Sequence, residues 1–478
     1  MCAAVVGVVA TGATARTSSV ITLTTGPTPP IRTALFDPLF QGPQQTTAFA
    51  MASDTGATYV RLTASWASIA PVSLPPSGFD PTDPASSYYR WTAMDAAVAG
   101  AVAAGLTPFL DIASPPAWGY SVQPKPALAQ GGTPKIDALG AFASALAARY
   151  NGSGPAPAVR AYAVWNEPNF NRNLYPQSPV TYRSMVNAVA DSVHAVNAAN
   201  LVVAGELAPF KHVPVGADKN SVTPPLGFMK SMLCVSGGPQ PQRTCSATAK
   251  FDVWSHHPYT SGNPFAKALV GGGVQLGDLP AMKKLLDDAE SLGAIDSAHP
   301  PQFWVTEVGW ASKPPKLGAV PMKLLSRWMS ETMYQVWTSG ANLATWFVLQ
   351  DFASGPFQSG VYFYSPALGN AVAKPILTPF RFPFVAYFKT GGNVLVWGRN
   401  ATSDQRAVEI QRQALGQGAW HTVAVITSNS NGIFRATLAL GAGKKDWIRA
   451  VAPGSGTSLA FALTPPANEN AHIAPWGG

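Results

Sequence analysis

Eight short apolar runs constrain this chain more than any other feature. They are Ile31–Phe36, Thr58–Leu62, Thr107–Ile112, Tyr162–Trp165, Leu201–Gly205, Phe251–Ser255, Phe303–Thr306 and Ala344–Leu349. Most are β-branched or aromatic and continuously apolar, the pattern of parallel strands covered on both faces. Segments with helical spacing lie between them: Trp91–Ala104, Ile136–Tyr150, Pro179–Ala199, Pro280–Leu292 and Pro321–Thr338. Ser178 stands where a helix cap belongs, and Pro179 occupies the first helical position. Gly293 and Gly340 stand where the fourth and fifth helices end. Eight strands alternating with helices predict an α/β chain built on a (β/α)8 TIM barrel. An open doubly wound sheet would carry a glycine-rich turn after its first strand, and none follows Phe36.

The pattern changes near Thr390-Gly391-Gly392. Short alternating segments follow: Val394–Gly398, Ala407–Gln411, Thr422–Thr427, Gly432–Leu438, Trp447–Val451 and Ser458–Leu463. Turns such as Asn429-Ser430-Asn431-Gly432 separate them. They predict a C-terminal antiparallel β-sandwich, to which Ser19–Thr24 is a candidate extra strand. The expected organisation is a signal-peptide remnant over 1–15, a catalytic barrel over 16–389, the sandwich over 390–465 and a tail over 466–478.

Charge excludes several classes. Charged residues are only 12% of the 478, and the net charge of +8 is scattered. No Lys/Arg-rich run marks a nucleic-acid arm or a membrane-surface patch. No apolar run reaches the roughly 20 residues of a membrane span. The start, Met1 to Ala10, is short and apolar, and Ala13-Thr14-Ala15 follows as a small-residue cleavage pattern. Export is therefore expected, although a basic stretch ahead of the apolar run is missing. Cys2 would leave with the leader. Cys234 and Cys245 then remain, and in an oxidising compartment they read as one disulfide closing a surface loop. The histidines and cysteines form no metal-ligand pattern, so neither metal nor cofactor is expected.

With only 24 acids in the chain, acid chemistry has few candidates. Barrel chemistry sits at the C-terminal ends of strands. Glu167, in Trp165-Asn166-Glu167-Pro168-Asn169, ends the fourth run. Glu307, in Thr306-Glu307-Val308-Gly309-Trp310, ends the seventh. Glycoside cleavage needs two carboxyl groups flanking one bond, one donating a proton and one attacking. The plainer reading, structural ion pairs, fits poorly where tryptophans flank the acids and few cations are near in sequence.

The Trp165–Asn169 segment resembles the Asn-Glu-Pro signature of clan A glycoside hydrolases, most of all families 39 and 5. The likeness covers roughly residues 30 to 388. It implies that Glu167 is the general acid/base and Glu307 the nucleophile of a retaining double displacement. It implies that Asn166 hydrogen-bonds the sugar 2-hydroxyl. His256-His257-Pro258-Tyr259 resembles the His-x-Tyr segment of family 5, which makes Tyr259 the partner of the nucleophile and His257 part of the substrate site. Arg61 resembles the clan's arginine beside the nucleophile, although an Arg in that stretch equally suits a barrel cap. The third run ends in Asp111–Ser114 without the His common in family 5, which argues against a close family 5 cellulase.

Trp66, Trp118, Trp310 and Trp346 follow or end strands, where rings meet the apolar faces of sugars. Trp346 is the leading candidate for a platform and Trp118 the next; core packing is the rival for each. Asp111, Glu206 and Asp351 are further acids near strand ends, with a structural role the commoner outcome. Two stretches, Pro71–Pro84 and Phe210–Lys250, are candidates to wall off one end of the site, which would favour exo action or short substrates. The expected function is a secreted retaining glycosidase acting on an oligosaccharide, polysaccharide or glycoside, with carboxyl groups about 5–5.5 Å apart. A non-catalytic glycan-binding barrel and a cell-wall anchor carried by the sandwich are the alternatives.

Overall fold

A computed structural model describes residues 20–73, 75–210 and 220–477. The leader-like segment 1–15 lies outside the described residues, as does 211–219 within the Phe210–Lys250 insertion. Eight parallel strands close into a barrel in chain order: β1 Arg32–Phe36, β2 Tyr59–Ser65, β3 Thr107–Ala113, β4 Ala161–Val164, β5 Leu201–Leu207, β6 Val253–His256, β7 Gln302–Val308 and β8 Leu343–Phe347. Each overlaps one of the eight apolar runs. Pairing of Phe347 with Phe36 closes the ring.

Among the described residues, seven main helices connect the strands: α1 Gln45–Asp54, α2 Thr92–Ala103, α3 Ile136–Arg149, α4 Pro179–Val196, α5 Pro225–Leu233, α6 Leu279–Ser291 and α7 Met322–Thr338. A short helix, Leu377–Arg381, follows β8. Ser178 caps α4, its hydroxyl accepting from the Thr181 amide at 3.1 Å. In α6 the buried residues Leu279, Met282, Leu285, Leu286 and Ala289 form one apolar stripe against the barrel. Besides the short helix Leu377–Arg381, two of the main helices escaped the sequence reading. The buried face of α1 is only Ala48, Phe49 and Ala52, too narrow a stripe to stand out. The other, α5, starts on Pro225 inside a Pro/Gly-rich insertion.

Strand alternation sorts the side chains. Val60, Leu62, Leu110 and Ile112 pack outward against the helices. Ala34, Phe109, Ala163, Val203, Val253 and Leu343 fill the barrel interior, with Tyr59 packed against them. A strand's side chains repeat on one face every two residues. Arg61 follows Tyr59 and Asp111 follows Phe109 at that spacing, so both polar groups stand on the inner face, just above the apolar filling.

Beyond the barrel come β9 Phe384–Phe388, β10 Asn393–Arg399, β11 Ala407–Gln413, β12 His421–Thr427, β13 Ile433–Ala439 and β14 Trp447–Ala452. One antiparallel sheet is β9-β10-β13. A second runs β12-β11-β14, extended by Gly456–Thr457 and Phe461–Ala462, and Ile21–Thr24 joins it parallel to β12. The sequence reading missed β9, whose residues continue an apolar run out of the last helix. The residues of the 466–478 tail described here return to the barrel. Gly262 donates to Ile473 O at 2.9 Å, and Ala311 donates to Pro475 O at 2.5 Å.

Candidate active site

Three backbone features turn acids inward at the strand ends. Trp165, Glu167 and Glu206 all have left-handed φ, of +69°, +44° and +50°. Such conformations cost on the order of 1–3 kcal/mol each for a non-glycine residue and cluster at functional sites. Gly205, beside Glu206, has φ +105°, and a Cβ there would lie 2.2 Å from Ser255 O. Only glycine lets β5 pass this close to β6. The Glu167 amide then donates to Glu206 O at 3.0 Å, tying the two turns together.

Arg61 is the hub. Its guanidinium is fully buried and bonds Glu307 Oε1, Glu206 Oε2 at 2.5 Å, Asp111 Oδ2 at 2.9 Å and Asn166 Oδ1 at 3.0 Å. Its flat face lies 4.7 Å from the centre of the Phe36 ring. The other oxygen of Glu307 accepts from the Tyr259 hydroxyl at 2.9 Å. His257 completes the set. Its Nε2 lies 3.2 Å from Glu206, and its Nδ1 lies 3.2 Å from Glu167 Oε1 and 3.9 Å from Glu307 Oε2. One nitrogen is therefore within hydrogen-bond distance of Glu167 and lies near Glu307 as well.

Electrostatics follow from this crowding. Burial opposes a charge on His257, but Glu307, Glu167 and Glu206 outweigh it and push its pKa up to about 10. The imidazole is thus a cation that donates from both nitrogens. Burial also opposes the charge on Glu206, yet Arg61 and then His257 hold it below the usual carboxylate range. Asp111 goes the other way, since burial there exceeds the pull of Arg61. Burial, with Glu307 beside it, keeps the Tyr259 phenol protonated.

A cleft of about 460 Å³ opens over this network. Its walls include Phe36, Thr63, Asp111, Asn166, Glu307 and Phe347. Because Asn166 Oδ1 is taken by Arg61, its amide N–H groups are what it offers to a ligand. Asp111 Oδ1 accepts no bond among the described residues and offers an acceptor for a hydroxyl group. The far wall is a hairpin, Tyr120–Val122 paired with Thr133–Pro134. Gly132 lies so close to it that a Cβ would sit 2.3 Å from the Tyr120 ring. Arg172 and Asn173, from the loop after β4, complete that side.

The structure thus brings Arg61, Asn166, Glu167, His257, Tyr259 and Glu307 together. It separates the tryptophans from them. Trp346 is 0% exposed, packs on Trp310 and donates to Ser359 O at 2.6 Å. It is core rather than a platform, because strand alternation turns residue 346 outward and residue 347 inward. Phe347 holds the cleft position instead. Trp118 packs edge-on against Trp66, donates to Pro71 O at 2.8 Å and stays off the cleft wall. Trp66 and Trp310 are buried. The Pro71–Pro84 loop and the described part of the Phe210–Lys250 insertion contribute no residue to the cleft wall. Asp351 lies on a neighbouring cleft with Lys374.

Sequence reading missed Phe36 and Phe347, although both end strands that had been located. It also missed Trp476. This ring, carried in by the tail, stands 6.3 Å from the Tyr259 ring and 6.1 Å from that of Phe210. Nothing local in the sequence connects the tail to β6. Cys234 and Cys245 are disulfide-bonded. Among the described residues, no group of three His, Cys, Asp or Glu side chains is arranged to hold a metal ion, and no helix is long and apolar enough to cross a membrane.

No protein-family model matches the sequence, and no curated protein is similar enough to count as a match. Solved structures do share the fold. A family 39 glycoside hydrolase from the gut symbiont Bacteroides cellulosilyticus WH2 superposes with a TM-score of 0.52 at 16% identity, covering 86% of this chain and 79% of that one. A monomeric beta-xylosidase from Caulobacter crescentus CB15 gives 0.50 at 15% identity, covering 90% and 98%. A GH39 enzyme from Xanthomonas axonopodis pv. citri gives 0.50 at 13% identity, covering 92% and 99%. The chain therefore has the barrel-plus-sheets fold found in family 39 glycoside hydrolases.

Proposed function

We propose that the protein is a retaining O-glycoside hydrolase acting on an oligosaccharide, polysaccharide or glycoside. The observation that carries the reading is the unequal setting of two glutamates around one histidine nitrogen. Glu307 is held from both sides, by Arg61 and by Tyr259, at the floor of the cleft. Such a carboxylate is oriented for attack on an anomeric carbon. Glu167, more exposed, has His257 at 3.2 Å as its side-chain partner among the described residues, which leaves it within reach of a leaving group and of water. Two carboxylates near one nitrogen, at 3.2 and 3.9 Å, are compatible with the roughly 5–5.5 Å separation of retaining enzymes.

In the first step Glu307 forms a bond to the anomeric carbon as the glycosidic bond breaks, and Glu167 gives its proton to the departing oxygen. In the second, Glu167 takes a proton from water as the water oxygen displaces Glu307. Water is added across one glycosidic bond and both glutamates return to their starting states. Asn166, whose side-chain N–H groups have no partner among the described residues, suits a bond to the 2-hydroxyl that strengthens as charge develops. The disulfide favours an exported protein, and the C-terminal sheets read as a β-sandwich accessory to the barrel, expected over 390–465 and joined by Phe384–Phe388 and Ile21–Thr24.

A panel of aryl glycosides, with the first-formed product anomer read by NMR, tests the reading. Retained configuration is expected, and an inverted product would sink the double displacement. Glu307→Gln is expected to abolish turnover. Glu167→Gln is expected to lose about 10²–10⁴-fold on substrates with poor leaving groups and far less on activated aryl glycosides. Equal losses on both would contradict the acid role of Glu167.

A further inference from the structure

We propose that a second cleft beside the catalytic one is a subsite for a further sugar unit of the same substrate chain, an inference that rests on the glycosidase reading. This cleft, about 390 Å³, lies between the loops after β7 and β8 and is lined by Pro315, Lys316, Asp351, Phe352, Phe363 and Tyr364, among others. Its volume falls within the roughly 300–1,000 Å³ of small-ligand sites.

Three features point to sugar. First, the cleft presents aromatic faces. Phe352, Phe363 and Tyr364 line it, and Tyr364 is 48% exposed. Rings held open to water are the surface on which apolar C–H faces of a sugar stack. Second, it contains an unsatisfied acceptor. Asp351 is 2% exposed and Oδ2 has no hydrogen-bond partner among the described residues. A buried acceptor of this kind is costly when left unpaired, and a hydroxyl-rich ligand supplies donors. Third, its polar groups are mixed. Lys374 bonds Asp351 Oδ1 at 2.5 Å, and Lys316 spends one donor on Trp476 O. A sugar, whose hydroxyls both donate and accept, fits such a mixture.

The cleft is also preformed. Besides Asp351, buried Lys374 donates to Ser312 Oγ at 2.8 Å and Gln358 O at 3.1 Å, and Gly360 donates to Asp351 Oδ1 at 3.0 Å. One cation thus staples the β8 loop to the β7 loop, so binding orders little that is not already ordered. Continuity with the catalytic cleft says which ligand enters. Phe347 lines the catalytic cleft and packs at 6.3 Å from Phe352 and 5.3 Å, edge-on, from Phe357. An aromatic ridge therefore leads from Glu307 into the second cleft, and a chain that has one sugar over Glu307 can lay another along it.

The test compares the full-length protein with a Phe352→Ala/Tyr364→Ala variant on an aryl monoglycoside and on xylo- and cello-oligosaccharides of two to six units. The expected result is that kcat/KM on the longer oligosaccharides falls about tenfold further than on the monoglycoside, with the loss in KM. Equal losses on short and long substrates, or no loss, would overturn the subsite. If the wild-type protein cleaved none of these glycosides, the glycosidase reading would fail, and calorimetry would then read the site by itself. Oligosaccharide binding by the wild type that weakens about tenfold in the variant upholds the subsite. Unchanged binding, or none in either protein, overturns it.

Discussion

Glu206 shows how a residue at a strand end can serve the site without facing it. Its place in the chain resembles that of Glu167 and Glu307, but it is fully buried between Arg61, His257 and Ser255. It holds the two cations that hold the other acids. Breaking a buried, hydrogen-bonded ion pair by removing one partner costs about 3–5 kcal/mol, so Glu206→Gln is expected to lower stability by that order in urea unfolding. The pH profile adds a sign. The pKa of Glu206 is lowered, so its contribution is present above its ordinary value of 4.5 and is lost as pH falls toward about 2. The pKa of His257 is raised, so its contribution is intact below 6.5 and is lost as pH rises toward about 10. Wild-type Tm should fall along both limbs, and Glu206→Gln should flatten the acid limb. An acid limb unchanged in the variant would remove Glu206 from the network. At this scale the sequence was informative about hydrogen-bonding side chains and uninformative about tryptophan and phenylalanine rings. Glu167, Glu307 and Tyr259 stand in short motifs tied to strand ends. The choice between Trp346 and Phe347 turned on strand parity, and one residue of register decides which ring faces the ligand.

Among the elements, the strands were readable because parallel strands buried on both faces leave unbroken apolar runs. The tail was not, because its docking depends on partners more than 100 residues away in the chain. Glu469 pairs with Arg327 at 2.9 Å and accepts from Trp328 at 3.2 Å, Asn470 accepts from Asn263 at 2.7 Å, and Trp476 leans on Tyr259. Tyr259 in turn donates to Glu307. Trp476 thus stands one contact removed from Glu307, and it is 38% exposed, so its loss leaves little cavity. Trp476→Ala is expected to lower kcat about tenfold with KM within about twofold, since small misplacements of a reacting group are expensive. Trp476→Phe should recover most of the rate, and Tm should move little in either. A fall in Tm that accounts for the lost activity, or full activity in Trp476→Ala, would reduce the tail to a structural strap.

At the scale of the molecule, the boundary near residue 390 marks a change of pattern but not a break in packing. The chain enters through Ile21–Thr24, which pairs with β12 before β1 begins. Trp397 of β10 is buried against Tyr334 and Trp337 of α7, at 5.4 and 5.5 Å. Arg327 of the same helix lies 3.8 Å over the Phe461 ring of the larger sheet. Arg399 is the deepest link. It is buried without an acidic partner among the described residues, and burial pulls its pKa down to about 10. It remains charged at neutral pH and spends its donors on backbone carbonyls, Ile31 at 2.9 Å and Phe380 at 3.4 Å. Such an interface is a shared core, and cooperative unfolding follows the core rather than the sequence pattern. Calorimetry of the full chain is therefore expected to show one transition. Residues 390–478 expressed alone should lack a cooperative transition, having lost Ile21–Thr24 and the α7 surface. Arg399→Leu leaves the Ile31 and Phe380 carbonyls unpaired, at about 1–3 kcal/mol each, and should lower that single transition as a whole. Two resolved transitions in the wild type, or in Arg399→Leu a shift confined to one of them, would mean that the barrel and the sheets fold as independent units.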